Sequence, residues 1–263
     1  MKKWPFIILA GFIVFLLVVP TQNVLIVNLA DKLSAPSAAH IFGTDNLGRD
    51  VFSLTVRGGI RTLVVVATAS AISFSGGLVL GLAGGYFGGQ MELGIRIAAD
   101  FTMAVPSFIF ALIFTGIFGM TPYTVGIILG LCGIGQYALQ AEALTRSVRK
   151  MAYIENEKIL GMPARHTLFG HILPNILYPM FTSMGNRAGG LTLSYASLAF
   201  IGLGVDVTSP DWGNMIYQYK IYVISNPNLI LAPTLAVFLL ALLFHLAFDG
   251  GASNKPEEVT IYD

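Results

Sequence analysis

Residues able to do acid–base, nucleophilic or metal chemistry are sparse in this sequence, and none of them forms a set. His166 and His171 stand five apart, and no cysteine pair or H-E-x-x-H pattern accompanies them, so no metal site is expected there. Cys132 is the single cysteine and lies in an apolar run, which excludes an intrachain disulfide and a cysteine–metal cluster. Glu142 and Arg146 are spaced for an i,i+4 pair that steadies a helix end, and Gln136 and Gln140 share a face suited to hydrogen bonds between helices. Asp100 reads as a cap or an ion-pair partner, and His245 as a lone buried or interfacial histidine. No G-x-x-x-x-G-K-[ST] run occurs, so the chain does not hydrolyse nucleotide by that route. With no nucleophile–base set and no metal constellation, the chain is expected not to be an enzyme and to bind no metal or cofactor of its own.

One polar set does repeat. Ser183, Arg187, Gly190, Ser194 and Ser197 follow steps of 4, 3, 4 and 3, with Asn186 beside them, which is one face of a helix. An arginine at bilayer depth costs at least about 2.5–3.5 kcal/mol on insertion scales and faces a bundle interior or a watery cavity. Two readings stay open. The face lines a passage or a partner seam, with Ser183, Asn186, Arg187 and Ser194 as translocation-path candidates, or Arg187 is structural and pairs with Asp100 or a carbonyl.

Apolar elements must hold these groups. Of 263 residues 55% are hydrophobic and only 11% charged, with a mean hydropathy of +0.73. Soluble domains carry roughly 25% charge, so this balance points to a bilayer. A net charge of +1 gives no reason to invoke nucleic acid. Crossing the hydrocarbon core takes about 20 apolar residues, and six stretches approach that: 4–20, 62–84, 97–118, 122–144, 174–204 and 229–248. Lys2 and Lys3 precede the first, but no small-residue cleavage site follows before Asp31, so it is expected to be an anchor rather than a signal peptide. In lipid such spans are helices, because the backbone must satisfy itself. The expected fold is therefore an all-α membrane protein with six transmembrane helices.

Basic residues set the orientation. The loop after the fourth span holds Arg146, Arg149, Lys150, Lys158 and Arg165, which places it and both termini in the cytoplasm. The segment before the second span carries turn chemistry at Gly43, Asp45, Asn46 and Gly48, then a short interfacial helix over 50–61. A second outer segment, 205–228, offers Trp212, Tyr217, Tyr219 and Tyr222 to the headgroup level. Residues 1–61 thus form a first helix plus outer segment, 62–250 the transmembrane core, and 251–263 a cytoplasmic tail. Glycines four apart, at Gly77/Gly81, Gly84/Gly88 and Gly85/Gly89, suit close helix packing.

The cytoplasmic loop over 146–174 is the least oily part of the core. Residues 146–160 are rich in helix formers, Gly161 suits a left-handed helix end, Pro163 suits the first turn of a new helix, and Pro174 marks the start of the fifth span. A helix-turn-helix on the inner face results, ordered enough to be a docking knob.

That stretch, ENEKILGMPARHTLFGHILP, resembles the coupling loop of ABC importer permeases, whose pattern is E-A-A, three residues, G, then nine residues to I-x-L-P. Glu155 matches the acid, Gly161 falls at the required offset, and Leu173 and Pro174 close the motif; Asn156 and Glu157 replace the two alanines, and His171 the isoleucine. The HILPN ending at 171–175 is similar to the dipeptide, oligopeptide and nickel branch. So are GTDNLGRDVFS (43–53), AGGYFGG (83–89), AVPSF (104–108), FIGLGV (200–205) and WGNMI (212–216), which resemble that branch's second permease subunit.

The resemblance implies a type I importer transmembrane domain with a cytoplasmic coupling helix. It implies a heterodimer with a second permease, two ABC ATPase subunits that hold ATP and Mg, and an extracytoplasmic binding protein delivering short peptides, nickel or metal chelates. ATPase contact would then fall on Glu155, Asn156, Glu157, Lys158, Ile159, Leu160, Gly161, Met162 and Pro163. The rival reading, an ion-gradient-driven transporter or channel subunit, needs ionisable relays or broken helices at mid-membrane, and Arg187 is nearly alone there. A scaffold subunit anchoring a cytoplasmic enzyme is a third reading.

Overall fold

The computed structural model describes residues 4–202 and 209–248. The expected tail at 251–263, the last two residues of the expected fifth span and residues 203–205 of FIGLGV lie outside them. Apolar sequence leaves the backbone no partner but itself, and the described residues are accordingly helical, with one isolated bridge between Thr44 and Asp50.

The helices are α1 (Trp4–Val18), α2 (Val51–Phe87), α3 (Gly89–Ala104), α4 (Ser107–Phe118), α5 (Pro122–Arg149), α6 (Ala152–Ile159), α7 (Ala164–His166), α8 (Leu173–Phe200), α9 (Trp212–Tyr219) and α10 (Asn228–Phe248). A π-helical turn, Thr167–Ile172, joins α7 to α8 without a break. Three helices, α2, α5 and α10, are long and apolar enough to cross a membrane, or four spans if the bent α3–α4 pair is counted. Helix α1 is apolar but shorter, and α8 owes its lower hydropathy to the Ser/Asn/Arg face.

Contacts fix the two ends of the bundle. At one end α9 caps the start of α2, Asn228 Nδ2 donates to the Phe42 carbonyl at 2.7 Å, and Phe15 meets Phe52 edge to face. At the other end Phe6 of α1 packs edge to face on Phe248 of α10, and the α6–α7 loop is anchored on α5. We call these the capped end and the loop end.

The core seam is α2 against α5. A Cβ at Gly77, Gly81 or Gly85 would overlap Tyr137, Ala141 or Thr145, so the backbones touch along two turns. Only the first of the three expected glycine pairs lies wholly in this seam. Gly88 and Gly89 instead adopt φ of +68° and +59° where α2 breaks into α3.

Several expectations need correction. No separate interfacial helix exists at 50–61: Asp50 accepts from the Ser53 amide at 2.8 Å and caps a single helix that runs on to Phe87. No breaker separates Arg61 from Thr62, so the expected boundary at 61/62 falls inside that helix. The stretch 97–118 is not one continuous helix but parts of two, bent by 74°. Val105, held extended by Pro106, makes the corner. Trp212 and Tyr219 are not offered to headgroups either; each is 1% exposed and packed inside the chain. The Trp212 indole packs on Gly58 and Gly59 and donates to the Thr55 carbonyl at 2.6 Å.

Candidate functional site

Two contacts set the base of the loop between α5 and α8: one braces α3 against the end of α5, and the other holds α6. The first is ionic. Glu142 is 1% exposed yet accepts from Arg96 at 2.8 and 3.0 Å and from Arg146, while Glu92 completes the cluster by pairing with both arginines. The expected Glu142–Arg146 pair is present. Arg96 and Glu92 were not foreseen, because their partners lie 46 and 54 residues away in sequence. The second anchor is apolar: Ile154 of α6 is buried among Leu82, Val148, Ile172 and Ile176.

From that anchor α6 runs outward to a sharp turn. Instead of one helix over 146–160, α5 ends at Arg149 and α6 begins at Ala152. Gly161 takes φ +73°, the Leu160 amide donates to the Asn156 carbonyl at 2.9 Å, and the Met162 amide donates to Glu157 at 3.0 Å. That last bond spans five residues and satisfies a helix-end carbonyl through a left-handed glycine. Pro163 then caps α7 rather than entering its first turn. Pro174 lies within the first turn of α8 and starts nothing, since helical structure already runs from Ala164.

The apex is oily. Ile159 is 81% and Leu160 78% exposed, with Met162 beside them, while Glu155 and Asn156 are exposed one turn back. Glu157 turns inward instead, accepting from Thr167 Oγ1 at 2.8 Å and lying 2.7 Å from His171 Nε2. A cleft lined by Tyr86, Arg146, Arg149, Glu155 and Ile159 separates α6 from the ends of α2 and α5.

His166 and His171 are brought together by the fold. Five residues apart in an α-helix they would diverge, but the π turn brings their ring centroids to 5.4 Å, beside Glu157. Pro174 supplies the reason: its ring would meet the Gly170 carbonyl in a regular α-helix. Widening the preceding turn relieves that clash.

The polar face of α8 is partly satisfied within the chain. Arg187 donates to the Gln136 and Gln140 side chains and lies 4.7 Å over the Tyr137 ring; Gln140 also donates to Ser183. Arg187 therefore pairs with amides and an aromatic face, not with Asp100, which is exposed. Asn186 Oδ1 is buried with no partner among the described residues. Towards the capped end Gly190, Ser194 and Ser197 are exposed. His245 is exposed as well, not buried.

At the capped end polar groups are buried in mutual pairs. Asp45, 0% exposed, meets Arg49 at 2.7 Å and accepts from Tyr219 at 3.1 Å. Asp211 accepts from Tyr195 and from the Gly213 amide, and Arg61 lies 3.6 Å away while donating to Tyr195 and the Met120 carbonyl. Burial pushes the Asp211 carboxyl pKa up, and Tyr195, Arg61 and the two amides pull against that. Sequence reasoning missed this set, because its members are far apart in the chain, Arg61 and Tyr195 by 134 residues.

Residues 77–250 match the family described as binding-protein-dependent transport system inner membrane component. The chain belongs to that family. The match contains α5 through α10 and the loop with its exposed apex. Over 249 residues the chain is 31% identical to the dipeptide transport system permease protein DppC of Alkalihalophilus pseudofirmus, covering 93% of this chain and 81% of that one. The glutathione transport system permease protein GsiD of Pectobacterium atrosepticum is 31% identical over 84% of this chain and 73% of its own length. The probable D,D-dipeptide transport system permease protein DdpC of Escherichia coli is 30% identical over 85% and 75%. This permease is thus a multi-pass protein of the inner membrane, of the ABC importer class that the coupling-loop motif indicated. Membership implies ATPase and binding-protein partners in general terms.

Proposed function

We propose that the chain is one of two permeases in an ATP-driven importer, spans the membrane six times with both termini cytoplasmic, and receives ATPase motion through residues 155–163. One observation carries this: an ordered loop, held by a buried isoleucine next to the ion-paired end of α5, ends in exposed Ile159 and Leu160 beside Glu155 and Asn156. Exposed apolar groups rimmed by polar ones mark a partner contact. A short helix of that kind suits a groove on a soluble subunit.

In this reading each ATPase of the pair grips one permease loop, and ATP-driven closure moves α6 toward the membrane axis. The π turn continues into α8 unbroken, so displacement of the loop is transmitted to the helix that bears Arg187. Substrate energy alone shifts no equilibrium unless it distinguishes the two states. ATP and the loaded binding protein supply that distinction. The exposed Gly190–Ser194 strip of α8, with Ser183, Asn186 and Arg187 below it, faces the second permease and the passage between them.

Short peptides are the cargo class that the relatives' names support. Nickel or metal chelates, carried elsewhere in the resembled branch, are the finer alternative. ATP and Mg belong to the partner subunits. The test is reconstitution of both permeases, both ATPases and the binding protein in liposomes, with dipeptide and nickel-chelate uptake measured in parallel. ATP-dependent uptake with stoichiometric ATPases supports the reading. Uptake that follows an ion gradient without ATPases would overturn it.

A further inference from the structure

The turn that carries the loop also gathers three metal-ligating side chains, two of which, His166 and His171, the transport reading leaves without a task. Glu157 lies in α6, His166 ends α7, and His171 sits in the π turn; their ligand atoms all lie within 4.8 Å of one another. In a regular α-helix residues five apart point roughly 140° away from each other. Only the wider turn, next to Pro174, puts both imidazoles on Glu157's side. We propose that Glu157, His166 and His171 form a three-ligand site for a divalent ion of the Zn2+ class, Co2+ and Ni2+ included.

The donor set fits. Two neutral imidazoles and one carboxylate suit a borderline transition metal rather than Mg2+ or Ca2+, which require oxygen. A tetrahedral ion with bonds of about 2.0–2.2 Å holds its ligand atoms roughly 3.4 Å apart. His171 Nε2 and Glu157 Oε1 are already 2.7 Å apart, so they separate slightly around an ion while exposed His166 swings inward. Thr167 donates to the second Glu157 oxygen at 2.8 Å and orients the carboxylate, the role an outer partner has in metal sites. Tyr153 packs edge-on against His171 at 6.0 Å and fixes that ring's plane. A plain Glu157–His171 ion pair would need none of His166, and that difference is testable.

Glu157 precedes Gly161 while both histidines follow it, so a bound ion closes the turn and fixes the angle between α6 and α8. The effect of that clamp on transport rests on the coupling reading above; the binding does not.

The full chain is purified without a polyhistidine tag, placed in lipid nanodiscs and titrated with Co2+, then with competing Zn2+. One ion per chain with the visible bands of tetrahedral Co2+ is expected, and His166→Gln should weaken binding at least about tenfold. No saturable one-to-one binding, or wild-type affinity in His166→Gln, overturns the site. In the reconstituted importer Zn2+ should depress ATP-driven uptake of wild type but not of His166→Gln. Binding without that inhibition keeps the site and overturns the clamp, while an importer that shows no ATP-driven uptake at all overturns the coupling reading alone.

Discussion

The two ends of the molecule treat polar side chains in opposite ways. At the capped end Asp45, Arg49 and Asp211 are almost fully buried, and Trp212 and Tyr219 close over them. At the loop end Glu155, Asn156, Ile159 and Leu160 stand exposed. Burying charges is tolerated only where they are paired and hydrogen-bonded, and at the capped end the chain supplies those partners itself. The loop end is ordered at its base yet leaves the Ile159 and Leu160 side chains of its apex exposed. One end is finished by this chain, and the other is shaped for something else. Substitutions at the capped end should therefore cost stability, and substitutions at the loop apex should cost coupling.

The largest effect is expected at Gly161. Its φ of +73° is a left-handed conformation, and no atom lies within 4 Å of where a Cβ would be, so the penalty of a side chain is backbone strain and not collision. For a β-branched residue that strain is roughly 1–3 kcal/mol, enough to reshape the turn. Gly161→Val should lower ATP-driven uptake by at least about tenfold with normal amounts of protein in the membrane. Gly161→Asn, which tolerates that conformation, should retain most of the uptake. Normal uptake in the valine variant would remove the coupling role from this turn.

Second in size is Trp212→Ala. Loss of a fully buried indole should destabilise the lone chain by about 3–5 kcal/mol, read as a lower unfolding temperature in detergent. The folded fraction should bind ATPase with unchanged affinity. If ATPase binding by the folded fraction fell equally, the division between the two ends would be wrong.

Legibility of these regions in the sequence followed how local their causes were. Gly161 was legible because a glycine before Met-Pro at the end of a helical run has one conformational use. The seam of Gly77 and Gly81 was legible from spacing alone. The charged stretch at 50–61 misled, since charges before an apolar run resemble an interfacial helix; in the fold no breaker ends that helix, and Arg61 donates to Tyr195, 134 residues away. Hydropathy read straight through Val105–Pro106, although proline already carried the signal for the bend. His166 and His171 were illegible as a pair because their juxtaposition depends on a rare turn imposed by a proline downstream.

Ile159→Ser with Leu160→Ser should come third. Both side chains are exposed, so the lone chain's stability should change by less than about 0.5 kcal/mol. ATPase binding in mild detergent should weaken by about tenfold, the scale of losing an apolar anchor at an interface. Unchanged ATPase binding would move the docking surface elsewhere on the loop end.

The smallest and most discriminating effect belongs to Arg187, which sits between the two ends. Gln136, Gln140 and the Tyr137 ring hold it within the chain, yet amides leave its charge unneutralised and the strip of α8 beyond it is exposed. A purely structural arginine would be replaced at the expense of α5–α8 packing, and Arg187→Ala would then lower protein abundance and unfolding temperature. An arginine whose charge faces the passage gives a different result: uptake changes a few-fold, while abundance and ATPase affinity stay at wild-type values. Arg187→Lys separates charge from shape, because an ammonium keeps the positive field but cannot bridge two amides in a planar fork. Uptake restored by lysine points to charge in the passage, whereas a lysine variant as unstable as the alanine one assigns Arg187 to the α5–α8 seam and removes it from the transport path.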